Sequence, residues 1–290
     1  MPARKHATTV HIPTLAVPSN KPYGVSYSKM ASFRRCLQSF HWKYMNKYFT
    51  PSSMGQQRGT SGHAALAVWH VGYDRKEAIE AAWDSWSGAG YADNEDWQLL
   101  YAALLRYFDW SASHDTFVLK VAEQKFDVEY DLDGVPVILT GYMDGIVEED
   151  GRLWVLENKF LKRMDNNDTS LDMQVSTYML AAQLLKYDVS GVIYNKVRIS
   201  DSKVAVTEPV VRTRMFRNPQ GLDRVQNEMI QQMRQMIFYE KGGGVPYRNP
   251  TKDCSWDCAF YQACLSMQDD GQDPTELLKM IASTRSTDNA

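Results

Sequence analysis

Residues 141–159 read GYMDGIVEEDGRLWVLENK, and the Asp150-Gly151 pair at their centre constrains the fold more than any other feature of the chain. Asp-Gly between two apolar runs predicts a two-residue hairpin turn. Such a turn pairs Glu149 with Arg152 and, counting outward, sets Asp144 opposite Glu157. Directly opposed residues hold their Cβ atoms roughly 5 Å apart on one face, and strand alternation adds Lys159 to that face. Two carboxylates so placed repel unless a cation lies between them, and a hard divalent ion with oxygen ligands suits the position. The alternative is a solvated hairpin with a salt bridge from Lys159 to either acid. Ile146, Val147, Val155 and Leu156 make both faces of the hairpin apolar, as in a buried central strand. Charges in such a strand are seldom left unpaired.

With 290 residues, 44% of them hydrophobic and 12% aromatic, the chain has material for a sizeable core in one or two domains. No apolar run approaches the ~20 residues that span a bilayer, and the first twenty residues lack the apolar stretch of a secretory signal. The expectation is a cytoplasmic protein with no membrane association. The net charge of -3 conceals an asymmetry, because residues 1–73 carry nine Lys or Arg and no Asp or Glu. That split points to a polyanion-binding surface, or to a basic segment packed on an acidic remainder.

Residues 1–25 hold Pro13, Pro18 and Pro22 and read as an extended arm. From Ser28, helical spacing of Met30, Phe33, Leu37, Phe40 and Tyr44 predicts a helix bearing Lys29, Arg34, Arg35, Lys43 and Lys47. Basic residues interleaved with aromatics suit phosphates and stacked bases; aromatics at this spacing also serve simply as core. Pro51 to Gly62 reads as a loop or frayed helix start, and an apolar helix with His63 and His70 follows. Helices are expected over 74–89, capped by Asp74, and over 93–110. Strands are expected over 117–130, 135–148 and 153–160. Glu123 lies within the first of these as a third acid of the site or as an edge-strand charge. Thr169 and Asp172 have capping-box spacing for a helix to about Tyr187, in which Gln174 and Tyr178 share a face. Strands over 192–198 and 204–211 and an amphipathic helix over 219–239 complete the core pattern. Its Leu222, Val225, Met229, Met233 and Met236 form the apolar stripe, and glycines 242–244 end it. The tail after Ser266 is polar, with a short helix over 274–281.

Cys36 stands alone on the basic helix, while Cys254, Cys258 and Cys264 cluster near the end. A reducing compartment argues against disulfides, and zinc sites favour paired short spacings. An iron–sulfur cluster, a zinc site and inert thiols all remain compatible with the spacing. A cluster would clamp the basic N-terminal helix to the C-terminus.

Taken in order, SYSKMASFRRC with Cys36, RGTSGH with His63, GYMDGIV with Asp144, ENK with Glu157 and Lys159, QVSTY with Gln174 and Tyr178, and CSWDCAFYQAC resemble the RecB-like branch of the PD-(D/E)XK nuclease superfamily. The resemblance is to its four-cysteine exonucleases, CRISPR-associated and phage-encoded, with the AddB nuclease domain as a cousin. It departs in two places: Met143 stands where the superfamily's name has proline, and three residues rather than two separate Cys254 from Cys258.

The resemblance implies an α/β restriction-endonuclease-like core, a mixed central β-sheet flanked by helices, with an N-terminal helical region and a C-terminal iron–sulfur subdomain. The expected divisions are an arm over 1–25, a basic helical region over 26–116, a nuclease core over 117–245, a cysteine segment over 246–266 and a tail over 267–290. It further implies Mg²⁺ or Mn²⁺ held by His63, Asp144, Glu157 and the backbone carbonyl of Asn158, with Glu123 as a candidate addition. Lys159 would orient or deprotonate the attacking water, Gln174 and Tyr178 would position the scissile strand, and Cys36, Cys254, Cys258 and Cys264 would bind a [4Fe-4S] cluster. Arg34, Arg35, Lys43 and Arg58 are the expected DNA contacts. The function implied is a metal-dependent exonuclease acting on single-stranded DNA or DNA ends, in recombination, repair or CRISPR spacer processing with protein partners. The alternative is a DNA-end binding or recruitment module with little turnover.

Overall fold

The computed structural model describes residues 21–164, 171–200, 206–269 and 273–282. The chain forms two compact units: residues 1–50, 129–138 and 228–290 compose the first, and 51–128 with 139–227 the second. Strands β2 (Val118–Leu132) and β3 (Val135–Glu149) pass through both.

The first unit contains β1 (Tyr23–Ser26) and α1 (Tyr27–Arg35), whose N-cap Ser26 accepts from the Lys29 amide. One continuous helix was expected here. Instead α1 stops at Cys36, whose backbone is extended, and the chain resumes as α2 (Leu37–Phe40) and a π-helical turn over His41–Met45.

In the second unit α3 spans Met54–Val71, so the helix begins within the stretch expected to be loop or frayed. The reason is local: Ser53 and Gln56 form a reciprocal capping box that satisfies the first free amides. The Asp74 cap is found as expected, with Glu77 completing a second box at the start of α4 (Arg75–Gly88). Helix α5 (Glu95–His114) runs a turn beyond the expected end. These three helices bury Trp86, Leu100, Leu104, Tyr107 and Phe108 against Val197, Ile199 and Val210 of the sheet side.

The predicted turn has φ of 51° at Asp150 and 71° at Gly151, the paired left-handed conformation of a tight hairpin. It sets the expected register from Glu149↔Arg152 to Gly145↔Leu156 between β3 and β4 (Arg152–Leu161). Helix α6 (Met173–Leu184) then carries the chain back so that β5 (Val189–Arg198) lies parallel to β4, as a crossover helix requires. Its N-cap is Asp172, which accepts from the Gln174 amide; Thr169 lies outside the described residues. Strand β6 (Val210–Met215) adds antiparallel to β5; of the strand expected over 204–211, residues 204 and 205 lie outside the described residues and 206–209 are not strand. The sheet is therefore mixed, in the order β1-β3-β4-β5-β6 with β2 also on β3.

Helix α7 (Pro219–Phe238) buries Leu222, Met229, Met233 and Met236 of the expected stripe and leaves Val225 half-buried, and Gly242 at φ 86° closes the π-helical turn after it. The short helices α8 (Cys254–Asp257), α9 (Tyr261–Asp269) and α10 (Thr275–Ile281) follow in the first unit. Trp42, Phe260, Ala263 and Leu278 form its cluster. Among the described residues no helix is long and apolar enough to cross a membrane.

His70 exposes only 6% of its side chain and meets the Tyr107 hydroxyl at 3.0 Å. Burial, helped by the Arg212 guanidinium, lowers its pKa to about 4, so the folded ring stays neutral. The unfolded ring titrates near 6.5. Stability from this group is complete above pH 6.5 and is lost as pH falls towards 4, because only the unfolded chain takes the proton in that window. A shift of this size corresponds to about 3 kcal/mol. Denaturant titrations of His70→Gln from pH 7 to 4 should show a flatter pH dependence than wild type by roughly that amount.

Candidate active site

Strand β4 parts from β3 after Leu156 but stays paired with β5 through Leu161, so Asp144 and Glu157 do not form the ladder pair that the turn predicts. At the opening, the Asp144 carboxylate takes the place of a backbone acceptor. Its Oδ2 receives the Asn158 amide N–H at 2.7 Å and the Asn158 side-chain N–H at 3.1 Å. Glu157, 2% exposed, contacts the Lys159 ammonium, and Lys159 Nζ also donates to Gln174 Oε1 at 2.8 Å. Gln174 in turn donates to the Tyr178 hydroxyl at 2.7 Å, as their four-residue spacing on α6 allows.

His63 comes from α3. Gly62 beside it has no room for a side chain, since a Cβ there would lie 2.4 Å from the Phe160 ring of β4. That close approach lets His63 reach the strand opening, where its ring meets Phe160 edge-on with centroids 5.8 Å apart. His63 Nδ1 is 3.0 Å from Asp144 Oδ1, yet off the line of a hydrogen bond, so this buried nitrogen has no hydrogen-bond partner.

The charges are strongly interdependent. Burial, then repulsion by Asp144, pushes the Glu157 carboxyl up to about 7, with Lys159 and His63 opposing. Burial also acts to raise Asp144, but His63, the Asn158 amide and Lys159 outweigh it and hold the carboxyl below its ordinary value. For His63 and Lys159 burial favours the neutral form, and the facing carboxylates override it and raise both.

Glu123 sits where the alternation of β2 slips, at a left-handed φ of 48°. It lines a cavity of about 10 Å³ with His63, Asp144 and Asn158. Burial first, then Asp144, raises its carboxyl. A non-glycine residue in that conformation is a strained feature of the kind found at functional sites.

Among the described residues no group of three His, Cys, Asp or Glu side chains stands ready to hold a metal ion. Within the opening, Lys159 occupies Glu157 and Asn158 occupies Asp144 Oδ2. The donor chemistry nevertheless fits a hard divalent ion: an imidazole nitrogen with no aligned hydrogen bond, Asp144 Oδ1 3.0 Å from it, the Glu157 carboxylate and the Asn158 carbonyl.

The expected DNA contacts fare differently. Arg34 is exposed, donates to Gln232 at 2.6 Å and stacks on Tyr27; Arg35 pairs with Asp257 at 2.9 Å; Lys43 lies over the Tyr44 ring. Arg58 requires correction. It is buried and engaged with Asp96, because the apolar α3 places it inside the helical layer where a cation needs a counter-charge.

In the first unit, the break at Cys36 puts that residue on a cavity of about 680 Å³ that Cys254, Cys258 and Cys264 also line. Asn249 donates to the Arg35 carbonyl at 2.9 Å, and the Gln38 amide to the Tyr247 carbonyl at 3.0 Å, joining the two distant stretches of sequence. All four cysteines are free of disulfides. The Thr251 amide points at Cys254 Sγ, 3.3 Å away. Burial, then Cys258 and Cys36, pushes the Cys264 thiol up to about 11, and burial raises Cys258 as well.

Two residues at the opening escaped sequence reasoning. Asn195 of β5 is fully buried beside Asn158, and Arg212 of β6 donates to it at 2.8 Å. The signal was present in YNK, an amide inside the apolar run of a central strand.

The family model of the PD-(D/E)XK nuclease superfamily matches residues 24–265. No curated protein matches the sequence. A candidate exonuclease from Eubacterium rectale, 12% identical, superposes with a TM-score of 0.52 over 82% of this chain and 88% of its own, and so shares the fold. Two further solved structures are less similar. SSO0001 is 12% identical with a TM-score of 0.34 over 74% of this chain and 78% of its own. The Vibrio cholerae protein VC1899 is 13% identical with a TM-score of 0.20 over 75% and 57%.

Replacing Gly62 by Val forces α3 off Phe160. The expected result is a loss of about 1–3 kcal/mol in chemical denaturation, the usual cost of overpacking.

Proposed function

Because the chain belongs to the PD-(D/E)XK nuclease superfamily, we propose that it hydrolyses phosphodiester bonds in DNA, as an exonuclease acting on single strands or strand ends. The observation that carries this reading is the convergence of His63, Asp144, Glu157 and Lys159 at the opening between β3 and β4.

Nucleases of this superfamily typically use Mg²⁺ or Mn²⁺. His63, Asp144, Glu157 and the Asn158 carbonyl are the proposed ligands, with Glu123 beside them. A divalent ion there supplies polarisation of the phosphoryl oxygen and activation of water when bound. The protein's own groups do the rest. The Lys159 ammonium, anchored by Glu157 and Gln174, orients the attacking water and offsets charge that develops on the phosphoryl oxygens. Gln174 and Tyr178, linked to each other and to Lys159, hold the scissile strand in register with that water. Water adds to phosphorus, the bond to the leaving oxygen breaks, and a phosphate monoester and a hydroxyl terminus result.

Cys36, Cys254, Cys258 and Cys264 are proposed to bind a [4Fe-4S] cluster. They line one cavity, and burial raises the thiols of Cys258 and Cys264, the neighbouring cysteines acting in the same direction. A cluster spreads its thiolate ligands apart, so a single-ion cage is not required of them. Arg34, Arg35 and Lys43 are the proposed phosphate contacts. The setting that fits is the cytoplasm, in recombination, repair or CRISPR spacer processing.

End-labelled single-stranded DNA incubated with Mn²⁺ should be degraded by wild type and at least about a hundredfold more slowly by Glu157→Ala or Lys159→Ala. Variants as fast as wild type would refute the site. Wild type that binds DNA ends without cleaving them would instead mark a recruitment module.

Protein purified without oxygen should be brown, with iron and sulfide in equal amounts and a broad visible band. Cys258→Ser should lose the band. Zinc in place of iron would sink the cluster assignment.

A further inference from the structure

Asn158 has a side chain that can face Asp144 in either of two ways, with its N–H₂ or with its oxygen. What fixes the choice lies deeper in the sheet. Asn195 is the in-register neighbour of Asn158 across the parallel β4–β5 ladder, and Arg212 is the register partner of Asn195 across β5–β6. Arg212 Nε donates to Asn195 Oδ1 at 2.8 Å, Asn195 Nδ2 donates to Asn158 Oδ1 at 2.9 Å, and Asn158 Nδ2 donates to Asp144 Oδ2 at 3.1 Å.

A guanidinium has donors only. Once Arg212 faces Asn195, it must meet that amide's oxygen, which turns the Asn195 N–H₂ to Asn158 and the Asn158 N–H₂ to Asp144. Arg212 is itself fixed. Its other nitrogens donate to Asp115 Oδ1 at 2.6 Å and the His114 carbonyl at 3.1 Å, and its plane lies over Trp110 and Phe117.

We propose that Arg212 and Asn195 are positioning residues that set the polarity of Asn158, tie down Asp144 Oδ2, and thereby leave Oδ1 beside His63 as the oxygen offered to a divalent cation. The inference rests on the metal site proposed above. It assigns a role to two residues outside the nuclease motif, neither of which is among the proposed ligands.

The test separates polarity from packing by measuring Mn²⁺ affinity calorimetrically, without DNA. Asn195→Asp keeps the shape and still accepts from Arg212, but cannot donate to Asn158. The Asn158 amide then turns over and sets its oxygen against Asp144. Asn195→Ser leaves a void yet keeps a donor and an acceptor. If polarity governs, Asn195→Asp weakens Mn²⁺ binding by about tenfold or more and Asn195→Ser by only a few-fold. A packing role gives the reverse order, and that order, or two unchanged affinities, would overturn the proposal.

Asn158→Ala, which keeps the backbone carbonyl and removes the N–H₂, provides the second reading should Asn195→Asp fail to fold. It is expected to weaken Mn²⁺ binding to the same extent as the polarity reversal, and wild-type affinity in it would also overturn the inference. Wild type that binds no Mn²⁺ would overturn the metal site together with this proposal, whereas normal wild-type binding with the wrong order among variants would overturn this proposal alone.

Discussion

Two acids held together in a place with little water are the constraint from which the rest of the second unit follows. Asp144 and Glu157 lie on adjacent strands, and each raises the cost of ionising the other. An apolar pair would be cheaper at that position. The fold instead spends hydrogen bonds and counter-charges on them: two N–H groups of Asn158, the Lys159 ammonium and the His63 ring. The sheet opens at this point and nowhere earlier along the hairpin, because an acid side chain has replaced a ladder acceptor. The opening also gives α3 a place to approach, and Gly62 makes that approach close enough for His63 to matter.

The cysteine cavity of the first unit poses the same problem with a softer set of atoms. Four groups that carry negative charge when they act as ligands surround one space, and burial raises the thiols of Cys258 and Cys264. Amides aimed at sulfur, such as that of Thr251, favour the thiolate. The break between α1 and α2 is the backbone's contribution, since a continuous helix through Cys36 would commit its residues to helical spacing and not to this wall.

The β3–β4 register was legible because it follows from a single local rule. Asp-Gly demands left-handed backbone at both positions, and counting outward from such a turn needs no knowledge of the remainder. The α6 face shared by Gln174 and Tyr178 was legible for the same kind of reason, helical periodicity. The start of α3 was left open between loop and frayed helix start because its glycines suggest a loop, while the capping box that decides for helix depends on which of several serines is placed to cap. Arg58 was misread because a basic residue in sequence carries no mark of burial. Its partner Asp96 lies 38 positions away.

By itself the sequence determined the hairpin, its register as far as Gly145 and Leu156, the apolar strands around it and the presence of four thiols, since each depends on neighbours along the chain. Tertiary structure alone decided that β4 would leave β3 after Leu156, that His63 would face Asp144, and that Arg212 and Asn195 would stand behind Asn158. Those outcomes depend on which oxygen of a carboxylate is free and which end of an amide is turned inward. Such choices are made by partners from other strands and helices, and no spacing within a motif encodes them.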